Sequence, residues 1–170
     1  MIQLIAVVVM GIVVLGGLAF LAKRLGLMKA ETGGERWPFR RKDFLLTESE
    51  KEFYRVLCKA VEGRWAVFAK VRLADLVWLP KGTQNAQSYR NRVQSKHVDF
   101  VLCERSAVKP VLAIELDDAS HERESRQERD KMVDRVLSSA GLPRLRVRAK
   151  RAYAPAELKQ QIDAALAAGG

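Results

Sequence analysis

Cysteine and histidine are scarce in this chain of 170 residues: two of each. Cys58 and Cys103 stand far apart, without the close pairs of a zinc knuckle or the density of a disulfide scaffold. Both read as small core residues. No internal repeat and no low-complexity tract is present, and the length suits one compact domain with an appendage rather than two domains. Acid is missing from the first 30 residues, and no Lys or Arg precedes Ile2. That second absence argues against a cleaved signal peptide, which carries a positive leading region.

The stretch Ile2 to Ala22 contains no charge and only Gln3 as a strongly polar residue. As a helix it spans about 31 Å, close to the hydrocarbon thickness of a bilayer. The sequence therefore predicts a transmembrane anchor over residues 1–24, a basic juxtamembrane linker over 25–43, and a folded domain over 44–168. Lys23, Arg24, Lys29, Arg36, Arg40, Arg41 and Lys42 follow the uncharged run. Under the positive-inside rule they place the N-terminus outside and the domain in the cytoplasm, at the plasma (inner) membrane of a single-pass protein. Trp37 and Phe39 beside these cations suit either the membrane interface or a plain linker.

Beyond residue 28 there are 28 basic against 20 acidic side chains. A balance of that sign favours polyanionic partners, nucleic acid or an anionic leaflet.

Thr47 and Glu50 have the spacing of a capping box, and Phe53, Leu57 and Val61 continue as an apolar stripe, predicting a helix over 48–62 stopped at Gly63. Val67, Ala69, Val71 and Leu73 alternate with polar or bulky neighbours, predicting a first strand that runs on toward Trp78. Pro80 to Asn91 reads as a loop. Val98, Phe100 and Leu102 mark one face of a second strand, with His97 and Asp99 on the other. A third strand, Val111 to Leu116, pairs with it as an antiparallel hairpin and carries Glu115 and Asp117 on one face. A helix over 122–140, a strand around Leu145 and Val147, and a helix over 155–167 complete the chain. The order is αβββαβα, an α/β (α+β) fold with a central mixed sheet of about four strands flanked by helices.

A side-by-side pairing of strands two and three predicts that Asp99, Glu115 and Asp117 converge, with His97 on the same side. Clustered carboxylates beside a basic surface suit Mg²⁺, or Mn²⁺, in phosphodiester hydrolysis, with His97, His121 and Lys70 as candidates for the base or water-positioning group. The alternative is structural: the same acids held by Arg72, Arg135 or Arg146 with no metal. Arg144, Arg146, Arg148 and Lys150 share one face of the last strand, as a solvated edge or as a track for phosphates.

The stretches KHVDFVLC, LAIELDDASH, RQERDKMVD and AGLPRLRVR, within residues 44–150, resemble the PD-(D/E)xK nuclease superfamily. More closely they resemble an uncharacterised bacterial domain family related to very-short-patch-repair endonucleases. The resemblance implies a restriction-endonuclease-like core and a Mg²⁺-dependent, endonuclease-like hydrolase acting on DNA or RNA. It implies Asp99 and Glu115 as metal ligands, Asp117 as ligand or water-positioner, His121 as base, and Asp130 as a residue that orients His121 or pairs with an arginine. The superfamily's motif lysine is replaced by Asp117, and a second acid, Asp118, follows where many relatives carry glycine. The alternative function is a nuclease-like domain without catalysis, serving as a nucleic-acid-binding or interaction module at the membrane.

Overall fold

The structure is a computed structural model that describes positions 10, 11, 13–18, 20, 21, 24, 37–117 and 124–169, with the backbone alone for 124–130. The chain divides into two units, Met1–Asp43 and Phe44–Gly170. In the first, the described positions up to residue 24 are helical and the Trp37 and Phe39 rings stack with centroids 6.0 Å apart. Among the described residues no helix is long and apolar enough to cross a membrane. The anchor expected over Ile2 to Ala22 falls largely outside the described residues.

The second unit is a mixed α+β domain. Its elements are α1 (Glu48–Ala60), β1 (Trp65–Arg72), α2 (Leu73–Leu76), α3 (Ala86–Gln94), β2 (His97–Glu104), β3 (Pro110–Asp117), α4 (Glu124–Ser139), β4 (Arg144–Arg148) and α5 (Pro155–Ala168). The sheet order is β1-β2-β3-β4, with the first two pairings antiparallel and β3-β4 parallel. A parallel neighbour requires a crossover, which α4 supplies.

The capping box forms as the sequence predicts: the Glu50 amide donates to Thr47 Oγ1 at 3.3 Å, and the Thr47 amide donates to Glu50 Oε2 at 2.9 Å. α1 then lays Phe53, Val56 and Leu57 on one face of the sheet, against Phe100, Leu102, Leu112, Ile114 and Val147, with Leu158 and Ile162 of α5. Phe53 is fully buried, its ring centroid 5.3 Å from Phe100 and 5.1 Å from Tyr153. Burial of one such side chain stabilises the domain by about 1.5–3 kcal/mol. The opposite face carries Val101, Cys103 and Ala113, covered by Val133 and Leu137 of α4 with Leu142, and joined by Val98 and Leu73. Gly141, at φ +67, ends α4 in the left-handed region that glycine tolerates.

Two expectations along the chain are corrected. β1 does not run on toward Trp78: after Arg72 the chain turns into α2, because Leu73 is fully buried in the second cluster. The Arg72 guanidinium closes this turn with two hydrogen bonds to Asp75, at 2.8 and 2.9 Å. The stretch expected to be a loop over 80–91 contains the start of α3, which Asn85 opens in a left-handed conformation, φ 55. None of the residues of α3 is fully buried, and Val93 packs against the second cluster. A helix held by one aliphatic side chain has no apolar stripe for a periodicity argument to find.

Candidate functional site

The end of the sheet that carries the acids is built around an irregularity in β1. Lys70 has φ 55, an uncommon conformation for a residue with a Cβ, at the position opposite Asp99. Register pairs form on either side, Ala69 with Phe100 and Val71 with Val98. The regular alternation of β2 breaks at the same level: Val98 packs with Val101 and Cys103, whereas Phe100 and Leu102 pack on the α1 face.

The consequence is a three-membered charged group. Lys70 Nζ lies 2.5 Å from Glu50 Oε1 and 3.2 Å from Asp99 Oδ1. The other carboxylate oxygen of Asp99 accepts from the Leu116 amide of β3 at 3.1 Å. The β2–β3 register ends at Phe100 with Ile114, so the Asp99 side chain takes the amide beyond the last backbone pair. Burial pulls the Lys70 ammonium down, but the hydrogen bond to Glu50 and the charge of Asp99 outweigh it and the pKa rises. Burial likewise pushes Glu50 up, and the bonds from Lys70 and from the Thr47 amide bring it below its ordinary value. A lysine so held is an ammonium at neutral pH, and an ammonium cannot accept a proton. Of the two roles expected for Lys70, base or water-positioning group, an ammonium suits the second.

Glu115 has different company. Its carboxylate accepts from Arg144 at 3.0 Å, with Arg146 4.0 Å away, and both arginines also pair with Asp134 of α4. The Arg144 side chain is only 10% exposed, so it serves as an internal bridge between β3, β4 and α4. Arg144, expected to begin a phosphate track with Arg146, Arg148 and Lys150, is engaged in these ion pairs. Arg146 remains exposed, as does Arg148; Lys150 is exposed and pairs with Glu157 at 3.6 Å.

Asp99 and Glu115 thus stand at the same end of the sheet but are tied to opposite sides of it, one through Lys70 to α1 and the other through arginines to α4. Simple alternation would put Asp99, Glu115 and Asp117 on one face; the break in β1 at Lys70 stands opposite Asp99. Among the described residues no group of three or more His, Cys, Asp or Glu is placed to hold a metal ion. Asp117 is exposed at the end of β3, where its carbonyl accepts from the Ala149 amide at 2.8 Å. His97 is also exposed, opposite Arg72 in the register. His121 and Asp118 lie outside the described residues, as does the side chain of Asp130.

Two residues of this charged end were not among those expected. Glu50 was read only as half of a capping box, although a cap uses one carboxylate oxygen and leaves the other available. Asp134 carried no signal, since its partners come from a strand that only the crossover brings near.

An α+β domain with a mixed four-stranded sheet, charged at one end and flanked by helices, is the class defined by these observations. Residues 42–166 match the family described as protein of unknown function (DUF2726), and the chain belongs to that family. No curated protein and no solved structure matches it.

Proposed function

We propose that the domain is a nuclease-like module, built on a restriction-endonuclease-like core, that engages the phosphodiester backbone of DNA or RNA from the cytoplasmic face of the membrane. The anchor in this reading is the uncharged run Ile2 to Ala22, and the basic residues that follow it set the orientation. The observation that carries the reading is the charged end of the sheet: Asp99 on β2 and Glu115 on β3, at the motif positions, each neutralised by a cation from a neighbouring strand. Arg146, Arg148 and Lys150 are exposed near this end, and the excess of 28 basic over 20 acidic side chains beyond residue 28 is the balance that attracts phosphate.

As arranged, the described carboxylates do not fit Mg²⁺ or Mn²⁺. Such ions take several oxygen ligands in near-octahedral geometry. Here the Asp99 oxygens are engaged by Lys70 and a backbone amide, and Glu115 by arginine. Binding of the polyanion without a divalent ion is the conclusion that this arrangement favours. Metal-dependent hydrolysis is the second reading, favoured by the placement of Asp99 and Glu115 at one end of adjacent strands. In that reading Asp99, Glu115 and Asp117 hold the ion, His121 is the base, and Lys70 supplies the positive charge that the motif lysine would bring.

The test uses the full chain in detergent with labelled duplex DNA, single-stranded DNA and RNA, in chelator, Mg²⁺ or Mn²⁺, across a salt series. Binding in chelator that weakens linearly in log salt supports the conclusion. Cutting that requires the ion and disappears in both Asp99→Ala and Glu115→Ala establishes the second reading. Absence of binding under every condition overturns both.

A further inference from the structure

From Val77 to Val98 the chain contains Lys81, Arg90, Arg92 and Lys96 and no acidic residue. This is the segment of α3 and the turns before it, and it exposes two large aromatic side chains: Trp78 at 81% and Tyr89 at 49%. Arg90 and Arg92 are exposed as well, and the Arg92 guanidinium lies over the Tyr89 ring, 5.8 Å from its centroid. Val93 fastens α3 to the core, so the polar remainder of the helix is open to solvent.

Resting on the reading that the domain engages nucleic acid, we infer that this segment is the surface that receives an unpaired strand, with Trp78 and Tyr89 stacking on bases and Arg90 and Arg92 holding the adjoining phosphates. Exposed aromatic faces among cations are what single strands use, because their bases offer free faces that a duplex keeps inside its stack. The competing occupant is an anionic lipid surface, which an anchored protein meets at once. Lipid insertion needs a continuous apolar helix face. The only aliphatic side chain larger than alanine in α3, Val93, packs inward, and beside Tyr89 and the arginines the helix carries amides and a hydroxyl: Gln87, Ser88, Asn91 and Gln94. Such groups have hydrogen bonds to offer to base edges and little to bury in lipid.

The test compares the full chain with Trp78→Ala, Tyr89→Ala and a double Arg90→Gln, Arg92→Gln variant. The probes are a 30-nucleotide single strand, its 30-base-pair duplex, and vesicles of phosphatidylcholine with or without phosphatidylserine. The parent is expected to prefer the single strand. Loss of Trp78 is expected to weaken single-strand binding about tenfold, in line with the removal of one stacked base, while duplex affinity stays within twofold. The arginine double variant should weaken both probes and flatten the salt dependence. Equal affinity of parent and Trp78→Ala for the single strand, with binding otherwise intact, overturns this inference and leaves the proposed function standing. No binding to either nucleic acid, with retention on phosphatidylserine vesicles that the variants lose, overturns both.

Discussion

Asp99 and Glu115 sit at one end of neighbouring strands, and the sequence gives them the same kind of surroundings, yet the fold treats them differently. Asp99 is part of a small group, one lysine between two carboxylates, held from the α1 side. Glu115 is part of another, in which Arg144 and Arg146 join it to Asp134 among the described side chains, held from the α4 side. The first depends on a backbone irregularity at Lys70; the second depends on a regular parallel register that sets Glu115 opposite Arg146. A carboxylate in a sheet can thus be compensated by bending the strand beside it or by extending the ladder. The two routes differ in what a mutation should do.

The largest effect is expected at Arg144, the most enclosed cation of the two groups. Arg144→Met should cost about 3 kcal/mol in urea unfolding of the full chain, because it leaves Glu115 without its closest cation in a partly buried position. Adding Glu115→Leu should recover most of that loss, since two apolar groups need no compensation. A single-variant cost below about 1 kcal/mol would mean that the bridge is not held in solution.

Lys70 should show a smaller effect and an unusual order of substitutions. Lys70→Ala is expected to cost about 1–2 kcal/mol through the charge-assisted hydrogen bonds to Glu50 and Asp99. Lys70→Gly should cost less than Lys70→Ala, by about 1 kcal/mol, because at φ 55 a Cβ is strained and glycine is not. The reverse order would show that β1 is regular at this position. Thr47→Ala should cost about 1 kcal/mol by removing the cap of α1, and it tests whether Glu50 still reaches Lys70 when one half of the box is gone.

The same group has a pH signature. Glu50 is held below its ordinary value of 4.5, so its contribution is complete above that value and is lost as the pH falls through the lower folded one. Lys70 is raised above 10.5, so its contribution is complete below that value and is lost as the pH rises through the folded one. The stability difference between the parent and Glu50→Gln should therefore be flat near neutrality and shrink on acidification below about pH 4.5, followed by unfolding at a series of pH values. Glu48, exposed and paired with Lys51, sets the floor: Glu48→Gln should stay within about 0.5 kcal/mol.

Much of this fold was legible from side-chain pattern. The capping box at Thr47 gave the first turn of α1, the alternation around Leu145 and Val147 gave β4, and the acid-bearing hairpin fell where the apolar runs placed it. These are local signals, and local structure answers to them. The short helices were less legible: α2 buries Leu73 in the second cluster, and α3, opened by a left-handed Asn85, is fastened there by Val93. The site was legible in its members at the strand end but not in its geometry. Strict alternation placed Asp99 with Glu115, and it had no signal for the left-handed residue on the neighbouring strand. Glu50 and Asp134 come from α1 and α4, so tertiary packing alone brings them in.

The central claim is that the acids of this domain are compensated by its own cations and that nucleic acid is engaged without a divalent ion. Its most direct test is the affinity of the full chain for a labelled nucleic acid at fixed ionic strength, measured in chelator and again in Mg²⁺. The account predicts binding in chelator, at an affinity that Mg²⁺ leaves unchanged or weakens by competing for phosphate. Binding that appears only when Mg²⁺ is added, and that Asp99→Ala abolishes, would contradict it.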